Sequence, residues 1–409
     1  MKNFRLQIGE PSIVAQGENT GWGNYQFPDI SYTKSGSIWI SWAMRPDDYE
    51  VVNGKSYGEA VSDDGGKTWR ERREDDLLIA GSPLSNGRAF KGFDRQYSFG
   101  CDYIKNYTPV AEYKGRRYHF LEDVKEYDRK VEGVERDVES GEELLFDVTL
   151  KWKNLALVEH TKDRLLPTSY ILGVCGSAPQ ILTLSDGLYF ATYHWSFDIN
   201  AKTRDEAIRA PYLDLSVFVF RSTDDARTWE CISQIAPDED IYKNATAGGF
   251  EGLDEPQMEL MADGSVVVLM RSGSPCGQND PNKYPSYIAR STDNCRTWSK
   301  PEEFDKLGVL PQIKRLACGA IIASYGRPGL FVKISGDESG MIWSDPSEIK
   351  LASNTRDASC YDRSCYYTRI LPLDDKSALL VYSDFNYPEN GVGESKKSIL
   401  VRKLTVIEE

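Results

Sequence analysis

In LDEPQMELMADGSVVVLMRSG, Leu253–Gly273, Glu255 precedes a Pro and Arg271 closes an apolar run. Between them lie a strand-like run, an Asp-Gly turn and a second strand-like run, the pattern of a β-hairpin. A structural hairpin needs neither the Glu nor the Arg. Related stretches end their second run in the same way, so that Arg45, His194, Arg271 and Arg327 fall at corresponding positions. If the hairpins stand around an axis, these side chains gather at one opening. Guanidinium pairs bidentately with carboxylate, so three converging arginines would clamp an anionic ligand. In the competing reading each arginine acts locally, capping a strand end or pairing with acids such as Asp47 and Asp48.

The elements that would position these residues are repeats. One copy is FPDISYTKSGSIWISWAMR, Phe27 to Arg45, and another APQILTLSDGLYFATYHW, Ala178 to Trp195. A third runs from Glu255 to Arg271, and LPQIKRLACGAIIASYGR, Leu310 to Arg327, is a fourth. A degenerate copy starts at Tyr367, and TPVAEYKGRRYHFLEDV, Thr108 to Val124, would turn at Lys114-Gly115. A second motif follows several copies: SDDGGKTW at Ser62–Trp69, STDDARTW at Ser222–Trp229, STDNCRTW at Ser291–Trp298 and, more weakly, SGDESGMIW at Ser335–Trp343. It reads as a folded turn in which Asp accepts backbone hydrogen bonds, Gly or its substitute takes positive φ, and Trp covers the turn. These aspartates are scaffold, because a catalyst is not needed in every repeat.

Two hairpins per unit give four-stranded antiparallel sheets, and such units in series pack radially. They are expected around residues 27–70, 100–160, 178–230, 255–299, 310–344 and 366–407, with Phe4–Gln16 adding the outer strand of the last. The expected fold is therefore all-β, a single six-bladed β-propeller domain over residues 1–409. The charged segment around 122–153 is expected to be an insertion, an elaborated hairpin or a lid between blades.

Composition narrows the partners. A formal net charge of −14 excludes a nucleic-acid partner, which needs a basic face, but leaves room for a small anion in a local arginine pocket. No apolar stretch approaches the roughly 20 residues that span a bilayer, so no membrane partner is expected. MKNFRLQIGEPSIVAQG lacks the apolar core of a secretory signal, which reads as cytoplasmic, or as secreted or periplasmic if a leader has been removed. The cysteines are scattered without a Cys-x-x-Cys and read as reduced structural thiols. His119, His160 and His194 are too dispersed for a zinc site, and neither metal nor cofactor is expected.

The Ser-x-Asp-x-Gly-x-Thr-Trp turns resemble the Asp boxes (BNR repeats) of the sialidase, or neuraminidase, superfamily. Boxes and hairpins alternate along nearly the whole chain as they do in that family. The resemblance implies a glycosidase acting from the chain end on a terminal sialic acid or related acidic sugar, with retention. It implies that Glu255 and Arg271 match the family's paired Glu and Arg, and that Arg327, in SYGRPGLFV, matches its third arginine. The family's nucleophilic Tyr resembles Tyr367 in CYYTRILPL, with Tyr366 and Tyr361 as rivals, and its acid/base Asp points to Asp47 or Asp48 in MRPDDYEVV. The chain departs from the family at Gln26, in YQFPD, where an arginine usually stands two residues before the Pro. Arg45 could substitute from the neighbouring strand end, or the substrate could be another acidic sugar. His194 reads as a hydrogen-bonding pocket residue, and a carbohydrate-binding propeller without turnover is the remaining alternative.

Overall fold

The computed structural model describes residues 2–18, 22–44, 57–79, 81–93, 108–113, 116–120, 123, 131–152, 157–161, 164–165, 180–195, 197–208, 214–244, 250–273, 284–352 and 362–409. Strands dominate it. Among the described residues the α-helices are α1 (Arg204–Ala207) and α2 (Glu239–Asn244).

The first strand, β1 (Phe4–Gly17), is set aside for the end of the chain. β2 (Asn24–Tyr32), β3 (Ile38–Met44), β4 (Tyr57–Ser62) and β5 (Arg70–Glu71) form an antiparallel sheet in chain order. Next come β6 (Ser82–Pro83), β7 (Ala89–Phe93), β8 (Ala111–Tyr113), β9 (Arg116–Phe120), β10 (Val131–Arg136), β11 (Glu143–Lys151), β12 (Leu157–Thr161) and β13 (Arg164–Leu165). They interleave: β6, β7, β10 and β11 pair in one sheet, β8, β9, β12 and β13 in another. β14 (Leu182–Leu184), β15 (Gly187–Trp195), β16 (Leu215–Ser222) and β17 (Thr228–Ile235) return to simple order. So do β18 (Phe250–Leu260), β19 (Val266–Gly273), β20 (Ser286–Ser291) and β21 (Glu302–Asp305). β22 (Gln312–Arg315), β23 (Ile321–Gly326), β24 (Leu330–Ser335) and β25 (Ser347–Glu348) follow in the same way. The last sheet takes β26 (Arg369–Asp374), β27 (Ser377–Pro388) and β28 (Ser395–Glu408), and β1 completes it by pairing antiparallel with β28.

Around 27–70, 178–230, 255–299, 310–344 and 366–407 four-stranded antiparallel runs fall where the repeats place them, those around 178–230 and 255–299 being joined by a parallel pairing of β16 with β18 and, through β17, to β11. Around 100–160 there are two interleaved sheets where one was expected. The charged segment contributes a hairpin there, β10 with β11. Its charges suit strands because they pair across them: Arg136 and Lys91 both bond Glu143.

Successive sheets pack face on face through alternating apolar side chains. Ile40 and Trp42 of the first sheet meet Val381, Ile399 and Val401 of the last. Ile322 and Leu330 meet Tyr366, Leu380 and Leu400, while Leu269 and Ile288 meet Ile313 and Tyr325. Val217 and Val219 pack on Met258 and Val268, and Phe90 and Phe93 on Phe190 and Trp229. The arrangement is consistent with a β-propeller.

The repeated turns are scaffold, as their number implied. Asp64 accepts from the backbone N–H groups of Lys67 and Thr68 at 3.0 and 2.9 Å and from the Thr68 hydroxyl at 2.6 Å. Those bonds hold its carboxyl well below the usual range. Asp224 and Asp293 repeat the geometry on Thr228 and Thr297. Ala226 and Cys295, at φ 64° and 61°, stand where the first turn has Gly66. Among the described residues, Cys231, Cys295, Cys318 and Cys365 are free thiols, no His/Cys/Asp/Glu group could hold a metal ion, and no helix is long and apolar enough to cross a membrane.

Candidate active site

Glu255 lies in β18 immediately before Pro256, with φ 43°. A residue before proline ordinarily takes an extended conformation, and positive φ is uncommon for anything but glycine. The same conformation recurs at the equivalent residues of two other repeats: Phe27 before Pro28 at φ 49° and Leu310 before Pro311 at φ 34°. Strand pairing slips at two of these places, between Gln26 and Asp29 and between Asp254 and Gln257. Each such residue stores about 1–3 kcal/mol of strain, which the packed sheets around it must offset.

Phe27 and Glu255 meet at Tyr367, and Leu310 meets Glu255. The Tyr367 hydroxyl donates a short hydrogen bond to Glu255 Oε1, and the Phe27 ring stands edge-on to the phenol at 5.1 Å between centroids. The Leu310 N–H donates to Glu255 Oε2 at 2.6 Å. Arg271 completes the group from β19. Its Nη1 donates to Glu255 Oε1 at 2.8 Å and reaches the Tyr367 oxygen at 3.4 Å, while its Nε donates to the Gly273 carbonyl at 3.1 Å. Asp254 flanks the same guanidinium at 3.8 Å. Arg327, at the end of β23, donates from Nη2 to the Cys365 carbonyl at 2.8 Å, and its guanidinium carbon lies 5.6 Å from the Tyr367 ring centre. That is within cation–π range.

The charge balance follows from burial. Glu255 is 4% exposed, and loss of solvent works to raise its pKa. Arg271, the hydrogen bonds from Tyr367 and Leu310, and Arg327 more than offset that, so the carboxyl is held below its ordinary value and is ionised. A buried anion is tolerable only when paired and hydrogen-bonded, and here both oxygens are engaged. An ionised carboxylate on a phenol O–H makes the oxygen a better nucleophile, because the proton has somewhere to go as the oxygen forms a bond.

The loop carrying Tyr367 is pinned from behind. Ser364 donates to the Ser383 carbonyl at 2.7 Å and accepts from the Tyr366 N–H at 2.9 Å. Thr368 shares a 2.7 Å hydroxyl contact with Ser324.

Of the residues singled out from sequence, Glu255, Arg271, Arg327 and Tyr367 are brought together. Tyr366 is fully buried, packed in the core between the last two sheets. Gln26 adjoins Phe27 and is fully buried, and neither of its amide atoms has a hydrogen-bond partner among the described residues. The His194 backbone pairs with Ser216 in β15. Arg45, Asp47, Asp48 and Tyr361 lie outside the described residues. Sequence reasoning missed Phe27 and the Leu310 N–H. Aligned on their prolines, the repeats put Phe27, Glu255 and Leu310 in one column, which marks a shared position but not the ring of one member or the N–H of another.

Over 98% of its length the chain is similar to a solved protein of unknown function from Dyadobacter fermentans, at 16% identity, 99% of that chain and a TM-score of 0.52. It is also similar to the NanB sialidase of Streptococcus pneumoniae, at 16% identity over 97% of this chain and 70% of that one, with a TM-score of 0.44. An α-L-arabinofuranosidase of Fusarium graminearum aligns at 13% identity over 96% and 97% of the two chains, with a TM-score of 0.48. No family model matches the sequence, and no curated protein does. What the Dyadobacter fermentans structure shares with the chain is its fold.

Proposed function

We propose that the chain is an exo-acting retaining glycosidase that removes a terminal sialic acid or a related acidic sugar, built on a β-propeller. The observation that carries this reading is the Tyr367 hydroxyl bonded to an ionised, buried Glu255 between two arginines. The Tyr367 oxygen attacks the anomeric carbon as the bond to the leaving oxygen breaks, and Glu255 takes the phenolic proton. Asp47 or Asp48 protonates the leaving oxygen and then activates the water that releases the sugar. A phenol suits a substrate whose anomeric carbon bears a carboxylate, because a carboxylate nucleophile would approach like charge. Arg271 and Arg327 hold that substrate carboxylate, and Arg45 and His194 are proposed to help bind the sugar.

Gln26 supports a second reading. A buried, neutral amide with no partner among the described residues takes the sequence position where sialidases usually carry an arginine, which favours a different acidic sugar. The test is turnover of a methylumbelliferyl α-sialoside by the wild type, Tyr367→Phe and Arg271→Ala. Activity in the wild type that both variants lose supports the first reading. A folded wild type inert on sialosides but active on uronosides or other keto-sugar glycosides supports the second. Binding without turnover on every glycoside would leave a carbohydrate-binding propeller and sink both.

A further inference from the structure

Tyr367 is fixed at its tip and at its root. Its hydroxyl bonds Glu255 and lies 3.4 Å from Arg271 Nη1, while Ser364 and Thr368 pin the loop that carries it. Neither anchor fixes the tilt of the ring. The torsion about the Cβ–Cγ bond of a tyrosine is soft and roughly two-fold, so the neighbours of the ring set it. The tilt matters because a phenol O–H prefers the plane of its ring. It decides whether the proton points at Glu255 while an oxygen lone pair faces the carbon to be attacked.

Arg327 and Phe27 stand against the ring itself. The guanidinium carbon of Arg327, on its flexible stem, lies 5.6 Å from the ring centre. Phe27 stands at 5.1 Å and 64°, within the edge-on arrangement that aromatic pairs prefer. Phe27 is held in its turn. Trp22 meets it at 6.4 Å and 76°, and Trp22 meets Phe385 of β27 at 6.1 Å and 85°. A row of edge-on rings thus runs from the last sheet to the phenol, packed on the core between the last two sheets.

Phe27 reaches this place through a backbone that opposes folding. At φ 49° its Cβ is crowded, and packing alone does not call for that, since an apolar residue reaches a core from an ordinary extended strand. Such a conformation persists only where its surroundings over-determine it, and it clusters at functional sites. The equivalent residues show what the kink delivers. Glu255 brings the carboxylate that accepts from Tyr367, and Leu310 brings the N–H that holds this carboxylate. The kink at Phe27 brings a ring.

We propose that Phe27 is a positioning residue, which sets the tilt of the Tyr367 ring and with it the direction in which the oxygen attacks. The kinetic consequence rests on the function proposed above; the contact itself does not. Phe27→Leu keeps an apolar side chain and loses the flat edge, whereas Phe27→Gly loses both the ring and the strain. The experiment labels tyrosine with ¹³C at the ring ε carbons of the full chain and assigns Tyr367 by the signals missing in Tyr367→Phe. Line shapes then give the rate at which this ring flips. In both Phe27 variants the ring is expected to flip about tenfold faster or more. On a glycoside that the wild type turns over, kcat is expected to fall about 10–100-fold with KM within about threefold, because Phe27 acts through the nucleophile and not on the bound sugar. Urea midpoints give the folded fraction in each assay. The proposal fails if both variants flip at the wild-type rate, if kcat is unchanged beside a faster flip, or if the loss of kcat equals the loss of folded protein. A rise in KM at constant kcat would make Phe27 a substrate contact and overturn it too. A wild type inert on every glycoside sinks the function proposed above, and the flip rates alone then decide whether Phe27 holds the ring.

Discussion

Glu255 is held between opposing effects: burial that would protonate it, and a ring of donors that keeps it charged. Replacing it by glutamine keeps the shape and removes the proton acceptor, so kcat for a glycoside substrate is expected to fall about 10²–10⁴-fold. An unchanged kcat would remove Glu255 from the chemistry. Taking away its main partner acts on stability instead. Arg271→Met leaves a buried carboxylate without its guanidinium and should cost about 3–5 kcal/mol in urea unfolding, most of it recovered when Glu255→Gln is added. The pH dependence has a definite sign. Because the folded-state pKa of Glu255 is depressed, its contribution to stability is present above the unfolded value of about 4.3 and is lost as the pH falls through the folded value. Acid unfolding of Glu255→Gln should therefore be less steep than that of the wild type, and parallel curves would contradict the direction assigned here.

Repeated elements separate scaffold from chemistry. Asp293 is committed to Thr297 and the Arg296 N–H, so Asp293→Ala should lower stability by about 1–3 kcal/mol and leave kcat unchanged, measured by urea unfolding and turnover on one preparation. A loss of kcat without loss of stability would reverse the assignment. The hairpins and turns were legible because two-residue alternation and Gly-containing turns leave a periodic mark in the chain. The interleaved sheets were not, because β8 and β9 are inserted between strands that pair with each other, and strand order across a sheet has no local signature. At the site, Glu255, Arg271 and Arg327 stand out by residue type and repeat register, whereas Tyr367 was singled out by the resemblance to the sialidase superfamily. The Leu310 N–H could not, since every residue but proline carries that donor and only the kink at φ 34° aims this one. Phe27 was hidden differently: as an apolar residue in a strand it reads as core, yet its strained backbone sets its ring against the phenol.

At the scale of the whole molecule, the seam between the first and last sheets depends on β1. Its pairing runs from Phe4 opposite Glu408 to Gly17 opposite Lys397, and without it β28 would be a long, apolar, unpaired edge. Deleting residues 2–17 should lower the thermal midpoint and produce concentration-dependent association in light scattering. A monomer with an unchanged midpoint would show that β1 is dispensable. The same pairing sets a timetable. About 380 residues separate β1 from β28, so at roughly 5–20 residues per second a ribosome needs on the order of 20–75 s to deliver the partner. Through that interval β1 is an exposed, unsatisfied strand on a nascent chain whose middle sheets can already pack. The segment that finishes the fold is thus also the one most in need of shelter during synthesis.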